Sequence, residues 1–226
     1  MQMSRVYILP LLAFYFSILT FPHLSLAGGG EGVEIDPNEL CASTEFSAPL
    51  SMYLPGALER GILCLRIGAI DKSVVSQLVE NRSYFISKHD DSALNDFSMT
   101  IDTYVVSGDV FEAQIGQKLL ERYLASHESA DPRYLFLLGV SYLNFSCDDK
   151  SVKAVQLLER ATIMGHILAP ALLSYSYENP YKCIERDKVK SRDMKLKFEH
   201  TAGSNKVTYS EVIDYLKGKG LIVSGP

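Results

Sequence analysis

The 226-residue chain has no tryptophan and only four cysteines. Beyond residue 27 it has no apolar run of the roughly 20 residues that a membrane-spanning helix needs. The cysteines form no C-x-x-C pair and no cluster with histidine, so a zinc site lacks its ligand spacing. No nucleophile elbow is present, and neither Ser-His-Asp nor Cys-His catalysis has a local signature. Lysine and arginine form no stripe with aromatics set among them, and the net charge of −5 comes from interspersed charges. Nucleic acid is therefore not an expected partner, and no cofactor or metal is expected.

What the chain does have is a word written twice. Leu119-Leu120-Glu121-Arg122 returns as Leu157-Leu158-Glu159-Arg160, and Tyr104 and Tyr142 keep the same offset. A period in the thirties is the mark of stacked helical hairpins.

Arg5 precedes an apolar run from Val6 to Leu19, and Ser25-Leu26-Ala27 offers small residues where a signal peptidase cuts. Residues 1–27 are expected to be a secretory signal peptide. Gly28-Gly29-Gly30-Glu31-Gly32 opens an expected flexible leader over 28–36, because glycine loses most entropy on ordering. Export also bears on the cysteines, since an even number in an oxidising compartment reads as two disulfides. Three connectivities are possible for Cys41, Cys64, Cys147 and Cys183. Cys41–Cys64 with Cys147–Cys183 is favoured because each pair stays local, and closing such loops is worth about 3–4 kcal/mol apiece.

Pro49, Pro55, Gly56 and Gly61 break up residues 37–70. This is an expected N-terminal cap, with Leu58, Ile62 and Leu65 lining one short helix. A helical repeat domain is expected over 71–226. Asp71 caps a helix carrying Val74, Val75, Leu78, Val79 and Phe85. The next begins after Asp91 and ends near Gly108, and another runs from Val110 to Ala125. Asp131 caps a helix with Pro132 at its first position, where the missing N–H costs nothing. Val152 to Met164 stops at Gly165, a left-handed cap, and 168–178 ends at Asn179-Pro180. Lys182 to Lys197 reads as a solvated connection or marginal helix. Thr208 with Glu211 makes a capping box for a last helix, 208–217. The expected fold class is all-α: a short helical-hairpin solenoid with an irregular cap.

Leu138-Gly139 with Tyr142, Lys153-Ala154, Leu158, Ala161, Gly165-His166 and Ala169 resembles a Sel1-like repeat, the short relative of the tetratricopeptide repeat. The best copy covers 136–177. A degraded copy covers 98–135, with Gly116 in the place of Ala154. The resemblance implies units of two antiparallel helices in which Gly139 and Ala154 allow close approach. It also implies an exported, periplasmic, non-enzymatic protein that binds another protein. Small proteins of this kind resemble immunity proteins that occlude the active site of a delivered toxin such as a lipase. An envelope scaffold and a weak β-lactamase-like protein are the alternatives. The second of these families carries a cysteine pair in each repeat, a regularity missing here. Cys147 and Cys183 stand about one repeat apart. Equivalent turns of stacked units are 8–10 Å apart, so their bond requires the turns to bend together.

Thirteen tyrosines stand beside no tryptophan. Tyr104, Tyr134, Tyr142, Tyr175 and Tyr181 are the expected contact residues, because tyrosine offers large area with a polar tip. Inter-repeat packing is the competing role, and it also applies to Tyr177. Histidines 89, 127, 166 and 200 and the doublets Asp90-Asp91 and Asp148-Asp149 read as turn, cap and packing residues. The sequons at Asn81-Arg82-Ser83 and Asn144-Phe145-Ser146 are accidental in a bacterial periplasm.

Overall fold

Alternate helices begin at Lys72, Val110, Lys150 and Lys188, so their starts are 38, 40 and 38 residues apart. The computed structural model describes residues 41–42, 44–49, 51–127, 131–145, 150–179, 184–203 and 207–222. The expected signal peptide, leader, Cys147–Cys183 bond and Tyr181 lie outside them. Among the described residues the fold is entirely helical, and no helix is long and apolar enough to cross a membrane.

A 3-10 turn at Thr44–Ser47 precedes α1 (Ala57–Arg66), α2 (Lys72–Ser87), α3 (Asp91–Val105), α4 (Val110–Ser126) and α5 (Pro132–Phe145). Then come α6 (Lys150–Ile163), α7 (Leu168–Glu178), α8 (Lys188–Ala202) and α9 (Tyr209–Gly218). Each packs on the next in the chain. Contacts one helix further along join α2 to α4, α3 to α5 and α7 to α9. One continuous core threads them, from Leu58 and Val75 through Phe97, Leu120, Leu143 and Leu172 to Phe198 and Leu216.

The helix ends follow from local chemistry. Asp90 and Asp109 accept from the backbone N–H groups of Ala93 and Glu112, each at 3.0 Å, and so start α3 and α4. Thr208 and Glu211 form the reciprocal capping box. At the end of α6, Gly165 takes φ +86°, Gly165 N–H donates to Thr162 and His166 N–H donates to Ala161, which satisfies two orphan carbonyls. The turn after α2 has the same bonds, from His89 to Ile86 and from Asp90 to Phe85. There, however, the left-handed position (φ 58°) is filled by His89.

Close approach inside the two expected repeats is carried by glycine. A Cβ on Gly139 would lie 2.8 Å from Leu158 Cγ and 3.3 Å from the Ala154 carbonyl, so α5 and α6 approach closely at Gly139. In the α3–α4 pair the small residue is on the other helix, where a Cβ on Gly116 would lie 2.8 Å from Tyr104 Cβ.

Of the two readings of Lys182 to Lys197, a solvated connection or a helix, the helix is found from Lys188: α8 occupies Lys188–Ala202 and buries Ser191, Met194, Phe198 and Ala202. Those positions recur at helical spacing beneath a dense charged face, and Asp187 caps the helix by accepting from Val189 and Lys190 N–H at 3.0 Å.

Candidate functional site

The tyrosines expected to meet a partner are mostly inside the stack. Tyr104, Tyr134 and Tyr142 are buried, and Tyr175 is partly buried against the core. The Tyr104 hydroxyl donates to Glu59 on α1 at 2.8 Å, and that of Tyr142 donates to Glu121 on α4 at 2.8 Å. Tyr134 packs on Phe97 and Tyr123 with ring centroids 5.0 and 4.7 Å away. Burial raises the hydroxyl pKa of all three, and Tyr134 is pushed up to about 12. In this arrangement these rings hold helices together and present little surface to a second protein.

The most concentrated polar chemistry was not anticipated from the sequence, and it centres on Arg82. This arginine is only 1% exposed, within the stripe Val75, Val79 and Ile86 that α2 turns to the core. Its two terminal nitrogens grip both Glu59 oxygens at 2.6 Å, a bidentate fork. Its Nε donates to the Tyr53 hydroxyl at 3.1 Å, and one terminal nitrogen donates to Thr100 Oγ1 at 3.3 Å. Tyr53 in turn donates to Asp96 at 2.8 Å, where Gly56 N–H also donates at 2.9 Å. Burial works against the charges of both Glu59 and Arg82, but their mutual hydrogen bonds and attraction outweigh it. The Glu59 carboxyl is held below its usual range and the Arg82 guanidinium above its own. Burial raises the Tyr53 hydroxyl as well. The network ties the cap and α1 to α2 and α3, so it positions the first helices of the stack.

A signal for it does exist in the sequence. Arg82 stands 38 residues before Leu120, which itself stands 38 before Leu158, and both leucines are fully buried. The repeat thus puts an arginine in a core leucine's place. A buried arginine needs partners.

The disulfide Cys41–Cys64 forms as expected, with Cα atoms 5.7 Å apart, and staples the start of the cap to α1. Asn81 of the first sequon lies in the middle of α2 and donates to the Met52 carbonyl at 3.4 Å, while Ser83 is buried.

The histidines take packing positions. His127 stacks on Tyr123 at 4.1 Å with its Nδ1 2.9 Å from the Tyr123 carbonyl, and His89 lies against it at 4.3 Å. His166 stacks on Phe136 at 4.4 Å, and burial pulls its pKa down to about 4. Two grooves run between alternate helices. One of about 840 Å³ lies between α2 and α4, crossed by the ion pair of Glu80 with Lys118. The other, about 460 Å³, lies between α6 and α8. Compared with known protein families, with curated proteins and with solved structures, the chain matches none of them.

Proposed function

We propose that this chain is an exported, periplasmic solenoid of Sel1-like helical hairpins that binds another protein and performs no catalysis. The observation that carries the reading is the regular return of alternate helices every 38 to 40 residues, with most helix packing between elements adjacent or one apart in the chain. Such stacks expose long continuous faces, and proteins built this way use them to hold other macromolecules. The cap supports the same reading, because a stack needs its first unit sealed. The buried Arg82 network and the Cys41–Cys64 staple meet that need.

Within that class, the partner is a toxic effector delivered to the envelope, such as a lipase, and the chain is its immunity protein, covering the toxin's active site. This step rests on the Sel1-like resemblance of residues 136–177 alone. Co-expression with a periplasm-targeted toxin encoded beside the gene restores growth if the reading is right. Failure to restore growth with any neighbouring toxin, together with failure to co-purify with one, overturns it. An envelope scaffold would instead recover cell-wall or secretion components in a pull-down from an envelope fraction.

A further inference from the structure

Most strongly exposed aliphatic side chains of the stack fall on two alternate helices. On α6, Val152 and Ile163 are 62% and 84% exposed, and on α8, Val189 and Leu196 are 80% and 56% exposed. Eleven residues are about three helical turns and seven are about two, so each pair lies along one line of its helix, opposite the buried stripe. Single exposed aliphatics are ordinary, but two such lines on alternate helices are not, and Ile163 of the first also lines the groove between them. That groove is lined by Glu159, Thr162 and Ile163 from α6 and by Met194, Lys197 and His200 among others from α8.

Charge sharpens the picture. Together α6 and α8 hold eight Lys and Arg against three Asp and Glu, in a chain whose net charge is −5. Lys153 and Arg160 are exposed on α6, and Lys188 and Arg192 on α8. These two helices thus carry a net basic surface beside their exposed apolar side chains.

We infer that the α6–α8 face is the docking surface, and that its occupant is an acidic amphipathic helix or helix-like segment of the partner protein. This deepens the protein-binding reading above and rests on it. An apolar ridge laid along these helices would meet Ile163 at the groove and Leu196 beyond it, and flanking carboxylates would meet Lys153, Arg160 and Arg192. A second copy of the chain using this same face would set two basic surfaces against each other, which is repulsive. An anionic bilayer and nucleic acid are the other anionic surfaces that could meet these cations. Neither gives Ile163 and Val189 a matched set of apolar anchors flanked by charge.

The test uses the full mature chain and a fluorescent synthetic helical peptide of glutamate with leucines at i, i+4, i+7 and i+11. Control peptides replace glutamate by lysine, or leucine by serine. The glutamate–leucine peptide should bind, weaken with salt, and beat both controls by about tenfold or more. I163S/L196S and K153E/R160E should each lose about tenfold in affinity, and Y84S on the α2 face should lose none. All these side chains are exposed, so circular dichroism should show the fold intact. Equal binding of the lysine–leucine peptide, unchanged binding by both double variants, or capture by phosphatidylglycerol vesicles in preference to the peptide overturns the assignment. The two readings fail separately. Loss of growth rescue with peptide binding intact removes the immunity role and leaves the surface. Rescue that survives both double variants removes the surface and leaves the role.

Discussion

Replacing Arg82 by leucine would restore the residue that the repeat places at Leu120 and Leu158, and it should nevertheless destabilise the protein. Leucine would suit Val75, Val79 and Ile86, all at or below 3% exposure. The cost falls on the partners. Glu59 loses both 2.6 Å bonds and keeps the Tyr104 hydroxyl and a backbone hydrogen bond, while Asp96 loses its nearby cation and keeps Tyr53 and Gly56 N–H. Removing one member of a buried ion pair costs about 3–5 kcal/mol. The Glu59 side chain is 33% exposed, so water can reach it and the low end applies, about 3 kcal/mol. For a domain of this size that is a fall in Tm of about 6–12 °C.

Denaturant unfolding followed by far-ultraviolet circular dichroism gives the value at pH 7, and a double variant gives the cause. R82L/E59L replaces both partners by apolar groups and should recover about half of the loss, because a buried pair is costly to break but cheap to replace. The pH dependence has a definite sign. The folded Glu59 carboxyl lies below its ordinary value of 4.5, so its contribution is complete above that pH and disappears as pH falls through the folded value. The gap between the parent and R82L should therefore narrow below about pH 4.5. A loss under about 1 kcal/mol with an unchanged m-value, or a double variant no more stable than R82L, would refute the reasoning.

Three further outcomes follow from packing and protonation. G139A gains up to about 1 kcal/mol of helix propensity, but its Cβ meets the buried Leu158 and a backbone carbonyl. Overpacking of this kind costs about 1–3 kcal/mol, so chemical denaturation should show a net loss, and a more stable G139A would contradict the close α5–α6 contact. H89G relieves a left-handed non-glycine residue at the end of α2 and should raise stability by about 1 kcal/mol in the same assay, with no gain counting against the turn geometry. His166 is held neutral, with a folded pKa of about 4 against an ordinary 6.5. The protein therefore loses stability as pH falls from about 6.5 towards 4, by up to about 3 kcal/mol. H166L should flatten that slope between pH 7 and pH 4, and an identical pH profile in parent and variant would show that His166 is not the sensitive group.

Much of the helix order is readable from the chain because its signals are local. The Thr208–Glu211 box, Pro132 at the first position of α5 and Gly165 after α6 each act within a few residues, and each occurs where the pattern placed it. The Arg82 network is a different matter. Its hydrogen bonds join residues 23 and 45 apart in sequence, and a reading that groups apolar positions passes over a cation standing among them. The α8 stripe was hidden for a related reason: Ser191, Met194, Phe198 and Ala202 are separated mostly by charged and polar residues, which dominate any average over the segment. The tyrosines show why composition misleads about surface. A ring brings enough apolar area to favour burial, and a single carboxylate satisfies its hydroxyl, as Glu59 does for Tyr104 and Glu121 for Tyr142.

The repeated leucine word combines these roles in four residues. Its leucines are core, with Leu119, Leu120 and Leu158 fully buried. Its glutamate acts on a tyrosine of a following helix, by a hydrogen bond in the first copy and by charge alone in the second. Glu121 accepts from Tyr142, and the charge of Glu159, after burial, raises the hydroxyl of Tyr177. Its arginine remains at the surface, where Arg122 reaches Ser87 on α2 at 3.2 Å. Arg160, in the second copy, is exposed at the edge of the basic α6 surface. A helical period fixes this division, since consecutive residues are turned by about 100° and cannot all share one environment. The leucines of the word therefore repeat because successive units need the same core. Its last residue is the one position free to acquire a different task in each copy.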